Sequence, residues 1–224
     1  MNAEFRTPIR RLLSGIIVCA VALALVAVPR GAAADTAPPA GAAPSSKQSD
    51  EATKAQAEQD KYLAEMQKYA NPGPMHALLD PLVGSWTTTT TMWTGPDSTV
   101  TQGTCQRAWI MGKRYLHSTY AGTFFGMPFE GMEILGYDMM KKMFVSAWVD
   151  NLGTTISVSE KGLPDASGKI ITIFSMFDDP ITGKKVPYKM VTTIVDQDHT
   201  NFAMVGTKDG KDLVEMKIAY TRAK

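Results

Sequence analysis

From Gly84 to Arg222 the chain is cut into short segments of similar length by clusters of turn-forming residues. The turn candidates are Gly95-Pro96-Asp97, Met111-Gly112-Lys113, Gly126-Met127-Pro128, Asp138 to Lys141, Asn151-Leu152-Gly153, Gly162 to Gly168, Asp178 to Gly183, Asp196 to His199 and Lys208-Asp209-Gly210. Gly, Pro, Asn and Asp supply the backbone angles or local hydrogen bonds that reverse a chain. Between them lie segments rich in Thr, Val, Ile, Phe, Tyr and Trp, spaced as in an all-β sandwich or barrel. The pattern predicts ten strands, over 85–94, 99–110, 114–125, 129–137, 142–150, 154–161, 169–177, 185–195, 200–207 and 211–222. Every connection is short enough for an antiparallel hairpin, so a sequential meander is the simplest topology. An open meander of this size leaves two unpaired edges, and closure removes them. The expected fold is therefore an all-β, about ten-stranded antiparallel up-and-down barrel.

Side-chain alternation assigns faces. Val214, Met216, Ile218 and Tyr220 share one side of the last strand, against Glu215 and Lys217. Tyr188, Met190, Thr192 and Ile194 oppose Lys189 and Thr193. The 142–150 segment is apolar on both sides, which calls for something to cover its outer face: a helix or a homodimer contact. The stretch LVGSWTTTTTMW (Leu82–Trp93) has the composition of a linker at first sight. Threonine is β-branched and favours pleated surfaces, so Thr87 to Thr91, framed by Trp86 and Trp93, reads as the first strand.

Upstream of Gly84 the chain changes character. Arg6, Arg10 and Arg11 precede an apolar run from Leu12 to Val28, and Ala32-Ala33-Ala34 follows. That is the pattern of a secretory leader over 1–34, cleaved near Ala34 and leaving no stable membrane span. Leu-Leu-Ser after Arg10-Arg11 matches the twin-arginine signal poorly, and the general secretory route stays open beside it. The protein is thus expected to be periplasmic or secreted. Residues 35–48 are Ala/Pro/Ser/Gly linker, too poor in large apolar groups to order themselves. Residues 49–70 are rich in Ala, Glu, Gln and Lys, with Tyr62, Leu63, Met66 and Tyr69 at helical spacing. Asn71-Pro72-Gly73-Pro74 ends that helix. Met75 to Val83 is a short apolar segment that Pro81 keeps from becoming a long helix, and it reads as a plug. The barrel domain accordingly occupies 71–224.

Of 23 basic and 22 acidic residues, the leader holds four and one, so the mature chain is slightly acidic. A basic patch for nucleic acid is not expected. Cys19 falls in the leader, leaving Cys105 without a partner for an internal disulfide.

Gly84-Ser85-Trp86 at the start of the first strand, after a short helical turn, resembles the calycin superfamily of lipocalins, fatty-acid-binding proteins and nitrobindins. Further motifs are Pro72-Gly73-Pro74-Met75-His76, Gly112-Lys113-Arg114-Tyr115-Leu116, Pro128-Phe129-Glu130-Gly131, Leu135-Gly136-Tyr137-Asp138, Trp148-Val149-Asp150-Asn151 and Tyr220-Thr221-Arg222. Together they resemble the bacterial domain-of-unknown-function family numbered 1579, over roughly 70 to 224. The resemblance implies a calycin-like barrel whose Trp86 packs across the plugged end, and it brings no established activity. Lys113 stands where a second Gly is expected, a departure confined to one turn.

The residues offer little catalytic chemistry. His76, His117 and His199 show no zinc-site spacing, and neither Gly-x-Ser-x-Gly nor a phosphate loop occurs. No metal or cofactor is expected. A nitrobindin-like haem would need one axial His, for which His117 and His199 are the candidates. Glu130, Glu133, Asp138 and Asp150 lie on or beside adjacent strands. An acid paired with Arg107 or Arg114 would line a barrel mouth, whereas Asp138 and Asp150 also fit as turn residues bonding nearby amides. Ten strands make a barrel wider than side chains alone just fill, and strand methionines suit an adaptable apolar cavity. The reading is a binding protein for a small apolar or amphipathic molecule. His117, Trp148, Tyr188 and Met190 are expected to line the cavity, Tyr137 and Asp150 to anchor polar groups, and Trp86 to close one end. The alternatives are a hydrolase or isomerase, which needs His117 beside Asp150 or Glu133, and an envelope interaction or dimerisation protein using the 49–70 helix.

Overall fold

The structure is a computed structural model that describes residues 46–179, 181–208 and 210–224. The leader over 1–34 and most of the linker over 35–48 lie outside the described residues. A helix, α1 (Ser46–Ala70), is followed by a one-turn helix, α2 (Pro74–Ala77), and a 3-10 turn over Asp80–Leu82. Ten strands follow: β1 (Gly84–Thr94), β2 (Asp97–Ile110), β3 (Tyr115–Phe124), β4 (Met127–Asp138), β5 (Met143–Asp150), β6 (Ser157–Pro164), β7 (Ile170–Asp178), β8 (Lys185–Ile194), β9 (His199–Lys208) and β10 (Lys211–Arg222). Each pairs antiparallel with its chain neighbours, and β1 pairs with β10 to close the barrel. The meander predicted from turn spacing is the observed topology.

Two details depart from the sequence pattern. β6 begins at Ser157 and runs through Gly162, which reads as a turn residue in the sequence. A Cβ at Gly162 would lie 2.6 Å from the Phe144 Cβ and 2.8 Å from its carbonyl. That glycine is required by close strand approach within the sheet. In β10 the expected alternation breaks at a bulge between Val214 and Met216. The extra residue turns Glu215 into the barrel, where it accepts a hydrogen bond from the Tyr188 hydroxyl (2.9 Å).

The turn at Met111-Gly112-Lys113 holds all three residues in the left-handed region, with Lys113 at φ 64°. The position where a second Gly is expected thus takes the backbone angle that glycine adopts most readily, and Lys113 reaches an ion pair with Asp80 (3.6 Å). In α1, Tyr62, Leu63, Met66 and Tyr69 are all exposed, so the apolar stripe faces solvent and does not cover the 142–150 face. Among the described residues no helix is long and apolar enough to cross a membrane.

The short segment before β1 closes one end. Leu79 and Leu82 join Leu116, Leu135, Phe144, Ile171, Ile173 and Ile194 in one buried cluster, with Met75, Leu78 and Val83 packed against it. Trp86 is 1% exposed and donates from Nε1 to the Leu82 carbonyl (2.9 Å). Trp109 Nε1 donates to Asp80 (2.8 Å). Arg222, at the end of β10, donates to Val83 O (2.8 Å), Pro81 O (3.1 Å) and Gln197 O (2.8 Å). Its guanidinium lies over the Trp86 ring at 4.2 Å. Gly84 leaves the space: at φ 130°, a Cβ there would collide with Arg222 Nη1. Replacing Arg222 with Leu should therefore lower unfolding free energy by at least about 2 kcal/mol, since carbonyls of the plug lose a charged donor. The drop is read from the urea midpoint, with an unchanged m-value showing that the native fold persists.

His76 is buried in the plug, and its Nδ1 accepts the Gly73 N–H (3.1 Å). Its edge meets the Tyr137 ring at 5.9 Å. Burial, and then the Arg114 charge, hold its pKa below the ordinary 6.5. The unfolded chain therefore takes up this proton more readily than the folded one. The contribution of His76 is complete above 6.5 and is lost as pH falls from there through the lower folded-state value. His76→Asn, which keeps an acceptor and removes the titration, should flatten that part of the pH–Tm profile.

Candidate functional site

Strand alternation divides the interior into a sealed end and a half-open one. Toward the plug, Trp86, Cys105, Leu116, Phe144 and Ile171 are fully enclosed. Toward the opposite end, the inward residues Thr90, Met92, Phe129, Trp148, Phe202, Met204, Met216 and Ile218 remain partly exposed. Met92 pairs with Met216, Met216 with Met204, and Met204 with Met190, forming a continuous methionine row along the wall. Met132 and Met176 point outward and are exposed. Trp148 lies flat along the wall. Its ring occupies the space above Gly131, where a Cβ would be 2.5 Å away, and stacks on Phe129 at 6.3 Å with an 18° tilt. Its ring also meets Tyr120 at 5.2 Å.

The floor of the open half is polar. Arg107, Ser118, Glu133 and Trp148 follow one another in register across β2, β3, β4 and β5, all facing inward. Arg107 is 7% exposed and donates from Nη2 to the Tyr120 hydroxyl (3.3 Å). Its guanidinium lies 4.2 Å from the Tyr220 ring centroid and 5.9 Å from that of Tyr120. Burial opposes the Arg107 charge, but coupling to Tyr120, Tyr220 and Cys105 and the hydrogen bond to Tyr120 outweigh it, so its pKa is pushed up. Burial pushes Glu133 above the ordinary carboxyl value, and Arg107 and Tyr120 only partly offset it. Burial also raises the Cys105 thiol, against the pull of Arg107, and pushes Tyr220 up to about 12. A thiol with a raised pKa is a poor nucleophile at neutral pH.

The residues singled out in the sequence divide between these regions. Trp148 and Tyr188 face the open lumen. Asp150, beside them, accepts from Trp148 Nε1 (2.7 Å) and from the Leu152 N–H (3.0 Å). Asp138 caps its turn through the amides of Met140 and Lys141. Tyr137 and Met190 pack against the plug cluster, and Trp86 closes the same end. His117 is a correction. It alternates with the buried Leu116 and Ser118 and pairs with Ala108 and the exposed Ile134, so it lies on the outer face. It therefore cannot meet Glu133, which faces inward from the neighbouring strand. His199 is at an exposed turn, paired with Asp196 (2.9 Å).

The inward row of Arg107 and Glu133 was readable from alternation. Glu133 shares the phase of Phe129, Leu135 and Tyr137, and Arg107 that of Cys105 and Trp109. Tyr120, Tyr220 and Ser118 carry no chemical motif and are joined to the row only by barrel closure and register.

Among the described residues β6 pairs with β7 over Lys161–Pro164 against Ile171–Phe174. Beyond it a Ser159–Ser175 hydroxyl contact (2.8 Å) is the bridge. An open groove of about 490 Å³ crosses this region, taking in Ser159, Ser175 and Tyr188 from the inner face and Phe174, Met176 and Lys189 from the outer.

These features define a plugged, ten-stranded antiparallel barrel with a half-open lumen and a buried polar floor. The chain belongs to the DUF1579 family, proteins of unknown function, whose model matches residues 71–222. Among solved structures it is similar to Rv2717c from M. tuberculosis, at 18% identity and a TM-score of 0.48, over 69% of this chain and 100% of that one. It is also similar to a redesigned beta barrel, at 15% identity and a TM-score of 0.34, over 67% of this chain and 96% of that one. No curated protein matches.

Ionising Glu133 inside the barrel opposes folding. A raised folded-state pKa means that the folded protein binds this proton more tightly than the unfolded chain. The favourable contribution is complete below 4.5 and is lost as pH rises through the folded value. Glu133→Gln should therefore raise Tm at neutral pH, and the gain should vanish below 4.5.

Proposed function

We propose that this protein binds a small apolar or amphipathic molecule in the lumen of a calycin-like barrel, after export and removal of residues 1–34. The observation that carries the reading is the partly exposed inner wall of the open half, where Met92, Met216 and Met204 follow one another in register and Met190 continues the row to the plug cluster. Methionine is flexible and polarisable, so such a wall adapts to guests of varied shape. Trp148 and Phe129 add flat apolar surface beside it. The plug bars one end, so a guest enters from the opposite mouth or through the groove at the β6–β7 seam. Thr88 and Thr90 share the inward face of β1 with Trp86, giving that wall hydroxyls and favouring an amphipathic guest over a purely apolar one.

Native mass spectrometry of protein purified from its source should show one retained small molecule per chain. A hydrophobic fluorescent probe should bind the emptied protein, and Met204→Trp, which fills the lumen, should weaken that binding at least about tenfold. Unchanged probe affinity in a folded Met204→Trp variant would put the binding outside the barrel and overturn the reading.

A further inference from the structure

The groove over β6 to β9 has a chemistry of its own on its outward side. Lys161, Phe174 and Lys189 stand side by side on β6, β7 and β8, in direct register. Lys161 Nζ lies 5.2 Å from the Phe174 ring centroid. Val158, Met176 and Pro187 line the same groove nearer the open end of the barrel. Phe174, Met176 and Val158 are all exposed. The groove is an apolar hollow edged by two cations.

A second apolar surface of the same chain also lacks cover. Every residue of α1 whose burial is described is exposed, the stripe of Tyr62, Leu63, Met66 and Tyr69 included. Helices in proteins draw most of their stability from packing such a face. Glu58 and Glu65 run along one flank of the stripe, seven residues apart. Seven residues of α-helix rise about 10.5 Å, and lysines on β6 and β8 stand about 9.6 Å apart, twice the strand spacing. Tyr62 falls between the two glutamates as Phe174 falls between the two lysines. The two surfaces match in charge, in spacing and in the placement of their rings.

We propose that this groove receives α1 of a second copy of the chain. The helix crosses β6, β7 and β8 with Glu58 and Glu65 against the two lysines and Tyr62 on Phe174. Leu63 and Met66, on the far side of the stripe from the glutamates, cover Met176, Val158 and Pro187. Two chains exchange helices, so both grooves are filled and the assembly closes at a dimer. Within one chain Glu65 holds Lys68 (2.6 Å) and Lys189 holds Asp212 (2.7 Å). Both are exposed ion pairs, which contribute little, so exchanging partners costs little. The inference does not depend on what the lumen holds. A covered groove leaves the open mouth as the way in for a guest.

Sedimentation equilibrium of the full chain tests this. Wild type should form a dimer at micromolar concentration. Lys161→Glu with Lys189→Glu sets acids against acids and should weaken the dimer at least about tenfold. Glu58→Lys with Glu65→Lys should do the same from the other side. These positions lie on the surface, so an unchanged far-ultraviolet circular dichroism spectrum should show that each variant is folded. Combining all four changes restores the pairs with their signs exchanged, and should return the dissociation constant to within about threefold of wild type. A coiled coil between two copies of α1 would not respond to the lysines. A wild type that stays monomeric, with α1 free or lying on its own barrel, would overturn the inference. So would a dimer that the lysine reversals leave unchanged or that the combined variant fails to restore.

Discussion

The closed end of the barrel depends on Arg222 and Trp86. Arg222 is the last strand residue of the chain, and it reaches three carbonyls, two of them in the plug before β1. In doing so it lies on the Trp86 ring, while Trp86 donates to the plug itself. One guanidinium thereby ties the end of the chain to the segment that precedes the first strand, across the β1–β10 seam that closes the sheet. Gly84 is part of the same arrangement, since any side chain there would occupy the guanidinium's position. The buried Leu79 and Leu82 then fill that end with apolar volume, and the barrel keeps an interior open only on the opposite side.

What lies above that closure is a gradient of polarity. The plug cluster is aliphatic and aromatic. The next layer carries Arg107, Ser118, Glu133, Tyr120 and Tyr220, and the layer beyond it returns to methionine and aromatic rings. Burying a cation and an acid on one row is costly unless each is well paired. Arg107 is partly compensated by two aromatic faces and a hydroxyl, and Glu133 less so. A protein optimised for stability alone would be better served by apolar residues of similar volume at these positions.

Much of the fold was legible because β structure writes itself with a period of two and punctuates itself with turn residues. Strand number, order and closure followed from nine turn clusters and the absence of long connections. Gly162 and Glu215 were not legible. Gly162 is a glycine for close approach to Phe144, which looks in the sequence like a glycine for turning. Glu215 is inward only because a bulge shifts the phase after Val214, and a bulge leaves no mark in an alternating pattern. For His117 the reason is simpler: its neighbours Leu116 and Ser118 face inward, so alternation puts it on the outer face.

The sequence by itself determined the strands, their antiparallel order, the plug and the Trp86 signature, because those depend on local propensity and short connections. It also held the phase that puts Arg107 and Glu133 on inner faces. Only the tertiary structure decided which inward residues meet. Barrel closure and the stagger between strands set Arg107, Ser118 and Glu133 in one row, and brought Tyr220 from the far end of the chain over the guanidinium. Register between distant strands is fixed by packing of the whole sheet, and no local window of sequence contains it.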